Sequence, residues 1–151
     1  MRRLTIFGIW LAAFTVTPLI AQKRPCPALI EGVADKKFKP GQVWSYDNRP
    51  GESASTLTIL RVDSGEKVGI IIQVRVDGLK MHNPRGELVP SIEHMPFSRD
   101  SMLLSVNHLL KSDQPVPTLE GLDQWRSDCG GVYKIAVRDA VDVAEKTFNA
   151  P

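Results

Sequence analysis

The sequence predicts an α+β fold: an antiparallel β-sheet of about four strands with two to three helices packed on one face. Three observations lead there. Residues 55–76 hold two β-branched runs joined by a short polar connection, "DSGEK". Residues 98–148 then change to apolar residues at helical spacing. Strands come first and helices follow with one returning strand, an order that suits an antiparallel sheet with segregated helices.

The N-terminus is expected to lie outside that domain. Met1, Arg2 and Arg3 precede an uncharged apolar run from Leu4 to Ala21. Positive charge before such a run is the pattern of a secretory signal, so residues 1–21 read as a signal peptide removed on export. Pro18 breaks the run near its end, and Ala21 is a small residue before a cut. Leu19 departs from the small residue preferred at its position. The competing expectation is an uncleaved anchor: residues 4–21 as a helix would reach ~27 Å, just short of a bilayer core. Residues 22–39, with Pro25 and Pro27, read as an irregular lead, and residues 40–151 as a single α+β domain.

Charge narrows the partners. The chain has 19 Lys and Arg against 17 Asp and Glu, and two of the arginines leave with the leader. The remainder is close to neutral, with "KKFK" (Lys36 to Lys39) its densest basic stretch. A protein that grips phosphate needs a net basic face, so no nucleic-acid partner is expected. The two cysteines are Cys26 and Cys129. An even count in an oxidising compartment points to one bridge, with two free buried thiols as the alternative. Closing a loop on the order of 100 residues is worth ~4–5 kcal/mol on the chain-entropy account. No CxxC is present, so thiol exchange is not expected.

The elements follow in order. After a turn at Pro40 and Gly41, Gln42 to Tyr46 reads as a strand with Trp44 and Tyr46 on one face. "DNRPGES" is a loop by composition. Ser55 to Val62 is a strand by its β-branched content. In "VGIIIQVRV", Val68, Ile70, Ile72, Val74 and Val76 share one face. Gly69, Ile71, Gln73 and Arg75 share the other, expected to be partly wet. Gly78 to Phe97 carries Pro84, Pro90 and Pro96 and no long periodicity. It is a long loop, or it hides short strands around a turn at "PRG".

Ser98 to Lys111 reads as an amphipathic helix, from Met102, Leu103, Val106, Leu109 and Leu110. Ser98 is a suitable N-cap, Asp100 lies in the first turn, and Phe97 with Met102 matches a hydrophobic staple. "SDQPVP" is a linker. Leu119, Leu122, Trp125 and Cys129 share a face of a second helix ended by Gly130 and Gly131, so a bridge at Cys129 would be partly buried. Val132 to Val137 reads as a strand. Asp139 then caps a last helix with Ala140, Val141, Ala144 and Phe148 inward.

Few residues suggest chemistry. His82, Glu87, Glu93 and His94 fall in one irregular segment, and histidine nitrogen with carboxylate oxygen suits a zinc-like ion. No HExxH or comparable spacing supports that, and the plain alternative is a solvated loop. His108 reads as a surface residue. "SGEK" matches the S-x-x-K spacing of serine acyl enzymes, but it joins two strands, where the lysine cannot sit one helical turn from the serine. G-x-S-x-G, GxxxxGK and GxGxxG are absent, so no cofactor is expected. Trp44, Tyr46, Trp125 and Tyr133 can form a binding platform, although they read more simply as core. The resulting expectation is a small exported binding domain without catalysis. Its binding residues would be Trp44, Tyr46, Arg49, His82, Glu93 and His94, and its partner a protein or an envelope component. The alternatives are a metal-assisted hydrolase built on His82 and His94, and a membrane-tethered structural subunit.

Overall fold

The computed structural model describes residues 25–150. The expected signal peptide lies outside these residues. The elements are β1 (Leu29–Ile30), β2 (Val43–Tyr46), β3 (Thr56–Gly65), β4 (Gly69–His82), β5 (Leu88–Ser98), α1 (Arg99–Ser105), β6 (Val106–Lys111), α2 (Glu120–Ser127) and α3 (Val137–Phe148). The α+β class is as expected, but the sheet has six strands rather than about four. Its order is β5-β4-β3-β2-β6, every pair is antiparallel, and β1 adds to the far end of β3.

The segment between Gly78 and Phe97, expected as a long loop or as short strands, holds the end of one strand and nearly all of another. There β4 runs on to His82, and β5 returns through a turn in which Asn83 N–H donates to Glu87 O and Gly86 N–H to Asn83 O. Gly86 takes a φ of +79°, which a side chain would resist. Pro84 sits in this turn. Pro90 and Pro96 are tolerated because β5 lies at the edge of the sheet, where a missing N–H breaks no second ladder.

The helix expected from Ser98 to Lys111 stops at Ser105. Its start is as read: Ser98 accepts the Ser101 N–H, and Phe97 and Met102 are both fully buried. Val106 then turns extended, at φ −82° and ψ 142°, and β6 pairs with β2. Pairing satisfies the second edge of β2, and Val106, Asn107 and His108 are weak helix formers, so the tertiary demand prevails. Leu109 and Leu110 are consequently exposed, and His108 is on a strand.

The strand expected at Val132 to Val137 reduces to one parallel bridge. Tyr133 N–H donates to Pro96 O, and Ser98 N–H donates to Tyr133 O. The chain turns helical earlier than expected because the Ser105 hydroxyl accepts the Val137 N–H, so Asp139 lies in the first turn instead of capping. Ala140 and Val141 point inward, but Phe148 is 55% exposed.

The helices also divide between the two faces. Ile72, Val74, Val76, Met95 and Phe97 join Met102 of α1 and Val137, Ala140 and Val141 of α3 in the main core. Burying each such side chain contributes on the order of 2 kcal/mol. The lead adds Phe38 to this core, beside Trp44. Ile71 and Gln73 point to the opposite face, which was expected to be partly wet, yet both are buried. Helix α2 packs over that face against β5, while β1 extends the sheet beside β3. Cys26 and Cys129 are bridged, with Cα atoms 5.1 Å apart, and this bond ties the lead to the end of α2. Both cysteines are exposed, so the bridge is not the partly buried one expected. Cys129 lies beyond the helix at a left-handed φ of +52°, off its apolar face. The bridge is consistent with an oxidising environment. Among the described residues no helix is long and apolar enough to cross a membrane.

Candidate functional site

The face covered by α2 carries a line of connected polar groups. It is built by two irregularities in the sheet. On β3 the register shifts between Ile59 and Arg61, which sets Arg61 opposite Gln73. On β5, Val74 pairs with Met95 and Val76 with Ile92, so Arg75 faces two residues, Glu93 and His94. Such a bulge re-aims side chains that simple alternation would separate. Glu93 and His94 both use it: Glu93 pairs with Arg75, and His94 reaches Gln73.

The line runs from Arg61 to His94. Arg61 holds Asp63 through two bonds, Nε to Oδ1 at 2.7 Å and Nη2 to Oδ2 at 3.0 Å. Gly32 N–H adds a third to Oδ1 at 3.1 Å. Gln73 Nε2 donates to Asp63 Oδ2 at 2.8 Å, and Gln73 Oε1 meets His94 Nε2 at 2.7 Å. Asp63 and Gln73 are 0% exposed. A carboxylate paired with Arg61 only accepts, so the Gln73 amide must turn its N–H to Asp63 and its oxygen to His94. His94 therefore carries its proton on Nε2, and Nδ1 holds a lone pair. Among the described residues no hydrogen bond reaches Nδ1 and no buried side-chain nitrogen or oxygen lacks a partner, so Nδ1 opens to accessible space. Burial, together with the Arg61 charge and against Asp63, lowers the His94 pKa to about 4. The ring is neutral at pH 7.

Helix α2 closes the site from above. A side chain at Gly121 would come within 2.8 Å of His94 Cβ, so α2 packs on β5 with only hydrogen there. The Trp125 ring lies 5.8 Å from that of His94, and its Nε1 donates to Gly131 O at 2.8 Å. Gly130 lies against the indole and also has no room for a Cβ. Two cavities flank Trp125. One, about 560 Å³, lies between α2, the β3–β4 turn and the disulfide, with Leu29, Val68, Ile71 and Val132 on its walls. The other, about 430 Å³, is lined by His94, Pro96, Trp125, Gly131, Val132 and Tyr133. His94 also borders a 230 Å³ space toward α3.

The remaining candidates lie elsewhere. Trp44 and Tyr46 are core residues, bonded to Gln42 and Ser55. Arg49 pairs with Glu52 within its loop and ties that loop to α3 through Asp142 and Glu145. Glu52 also accepts the Lys80 N–H, which locks β4 to the same loop. His82 ends β4, exposed, with its N–H on Glu145 and its carbonyl accepting from Asn149. His82 and Glu87 flank the hairpin turn, whereas Glu93 and His94 stand on the order of 20 Å along β5 from it. The four do not form one loop, and among the described residues no group of three His, Cys, Asp or Glu side chains converges as metal ligands would. Of the predicted binding residues, the structure brings Glu93 and His94 side by side. Sequence reasoning missed Arg61, Asp63 and Gln73. The available signal was Arg61 and Gln73, polar residues in two apolar strands, while Asp63 lay in the stretch read as a connection. No family model matches the chain, and neither a curated protein nor a solved structure matches it.

Proposed function

We propose that this chain is a small exported binding domain with no catalytic step of its own. It takes a protein or envelope component at the cavities flanking Trp125. The observation that carries this reading is the paired hollow, about 560 Å³ and about 430 Å³, that shares Trp125, Gly131 and Val132. Volumes of this size, with apolar and aromatic walls and few convergent polar groups, are typical of ligand sites. The disulfide borders the larger hollow and holds α2 over the sheet, which suits a site that must keep its shape outside the cell. The leader pattern and the bridge together support export.

His94 supports binding over proton transfer. Its single proton is engaged by Gln73, an amide that cannot take it up, and its lowered pKa makes the ring a weaker base than a free imidazole. The test pairs a turnover panel of esters, peptides and glycans with the purified protein and His94→Ala. The expected result is no turnover by either. Turnover by the wild type that disappears in His94→Ala would overturn the proposal.

A further inference from the structure

We infer that His94 Nδ1 is a hydrogen-bond acceptor for a bound ligand, and that the cavity it shares with Trp125 and Tyr133 selects a neutral ring bearing an O–H or N–H donor. This rests on the proposed binding role of that face and names the ligand chemistry. The acceptor is set by residues behind it. Asp63 fixes the Gln73 amide, Gln73 fixes the imidazole proton on Nε2, and Nδ1 is left with a lone pair and no hydrogen-bond partner among the described residues. Both supporting side chains are fully buried, so reversing the tautomer would break two hydrogen bonds out of contact with water.

The chemistry of the walls fixes the class. Trp125 and Tyr133 put aromatic side chains on the walls, and Pro96 and Val132 are apolar. The Trp125 N–H is already given to Gly131 O, so it does not serve a ligand acceptor. An anion would meet the Nδ1 lone pair. A cation would meet the same influences that keep the imidazole uncharged, namely burial and the Arg61 guanidinium. A neutral planar group with one donor satisfies the site without either penalty. Phenol and indole rings are of this kind, whether free, on an envelope molecule or on a partner's side chain.

The test uses phenol, toluene and anisole with the purified wild-type protein, followed by amide and histidine ¹⁵N shifts. The inference expects phenol to move the amides of Trp125, Val132 and Tyr133 saturably. It expects His94 Nε2 to remain protonated while the Nδ1 resonance moves as it accepts a bond. Toluene and anisole should bind the same place about five- to tenfold more weakly, the scale of one neutral hydrogen bond. Equal affinities for phenol and toluene would overturn the inference and leave a cavity that binds apolar rings. Shifts confined to Ala144 and Thr147, in the space toward α3, would overturn it too, as would a free Nδ1 proton. His94→Gln should erase the preference for phenol while toluene affinity stays within about twofold. Because the wild-type comparison stands alone, misfolding of the variant would not rescue the idea.

Discussion

Acidification perturbs His94 in a way that can be worked through. Its pKa stands at about 4 in the fold against 6.5 for a free imidazole, first through burial and then through Arg61, with Asp63 opposing. Between those values the unfolded chain binds a proton that the folded chain does not. The His94 contribution is therefore fully present above the unfolded value and is lost as pH falls through the folded one. A gap of that size, fully felt, is worth ~3 kcal/mol. The ring is partly exposed, so solvent screening leaves about half of that. The assay is urea unfolding of wild type and His94→Gln at closely spaced pH between about 7.5 and about 3.5. Glutamine keeps a donor for Gln73 and does not titrate.

The acids supply a background common to both proteins. Burial pushes Asp35 and Glu52 up, but hydrogen bonds from Arg99, Arg49 and backbone amides pull them below the ordinary range. Arg49 holds Glu145 down as well. Their stabilisation is lost at still lower pH, and subtraction of the variant curve removes it. Wild type should lose about 1–2 kcal/mol more than His94→Gln between pH 6.5 and about 4. Parallel curves would refute the buried, neutral imidazole and the tautomer argument with it.

Other perturbations separate structural from site residues. Arg49→Ala leaves Glu52, with a side chain 2% exposed, supported only by the Lys80 N–H, and should cost about 3 kcal/mol in urea unfolding. Arg75→Ala removes pairs to the half-exposed Asp77 and Glu93 and should cost under about 1 kcal/mol. Reducing the Cys26–Cys129 bridge, which spans 103 residues, should lower unfolding free energy by ~4–5 kcal/mol; a loss below ~1 kcal/mol would contradict the loop-closure account. Gly130→Ala places a methyl 1.9 Å from Trp125 Cδ1, so the indole should be displaced and its fluorescence should shift to longer wavelength.

The fold was legible where local pattern and tertiary structure agree. The β3–β4 hairpin shows this, since β-branched content and alternation mark both strands, although β3 runs on to Gly65 through residues read as the connection. The start of α1 shows it too, because Ser98, Asp100, Phe97 and Met102 are local signals. Legibility failed where a distant partner decides. Val106 to Lys111 has helical spacing, yet it becomes a strand because β2 needs a second neighbour. Pro90 and Pro96 argued against β5, but an edge strand accepts both. The site was hidden for a related reason. His94 was visible as an unexplained residue, but its role depends on a bulge opposite Arg75 and on Gln73, in the adjacent strand. Trp44 and Tyr46 stood out by residue type alone, and type cannot tell a buried ring from an exposed one.

The central claim is that the face under α2, beside the disulfide, is where this protein meets its ligand. Site-specific photo-crosslinking in the producing cell tests it most directly, with the reactive side chain placed in turn at Val132, on both cavity walls, and at Lys111, on the opposite sheet edge. The account predicts an adduct of defined mass from Val132 and none from Lys111. An adduct from Lys111 with none from Val132 would contradict it.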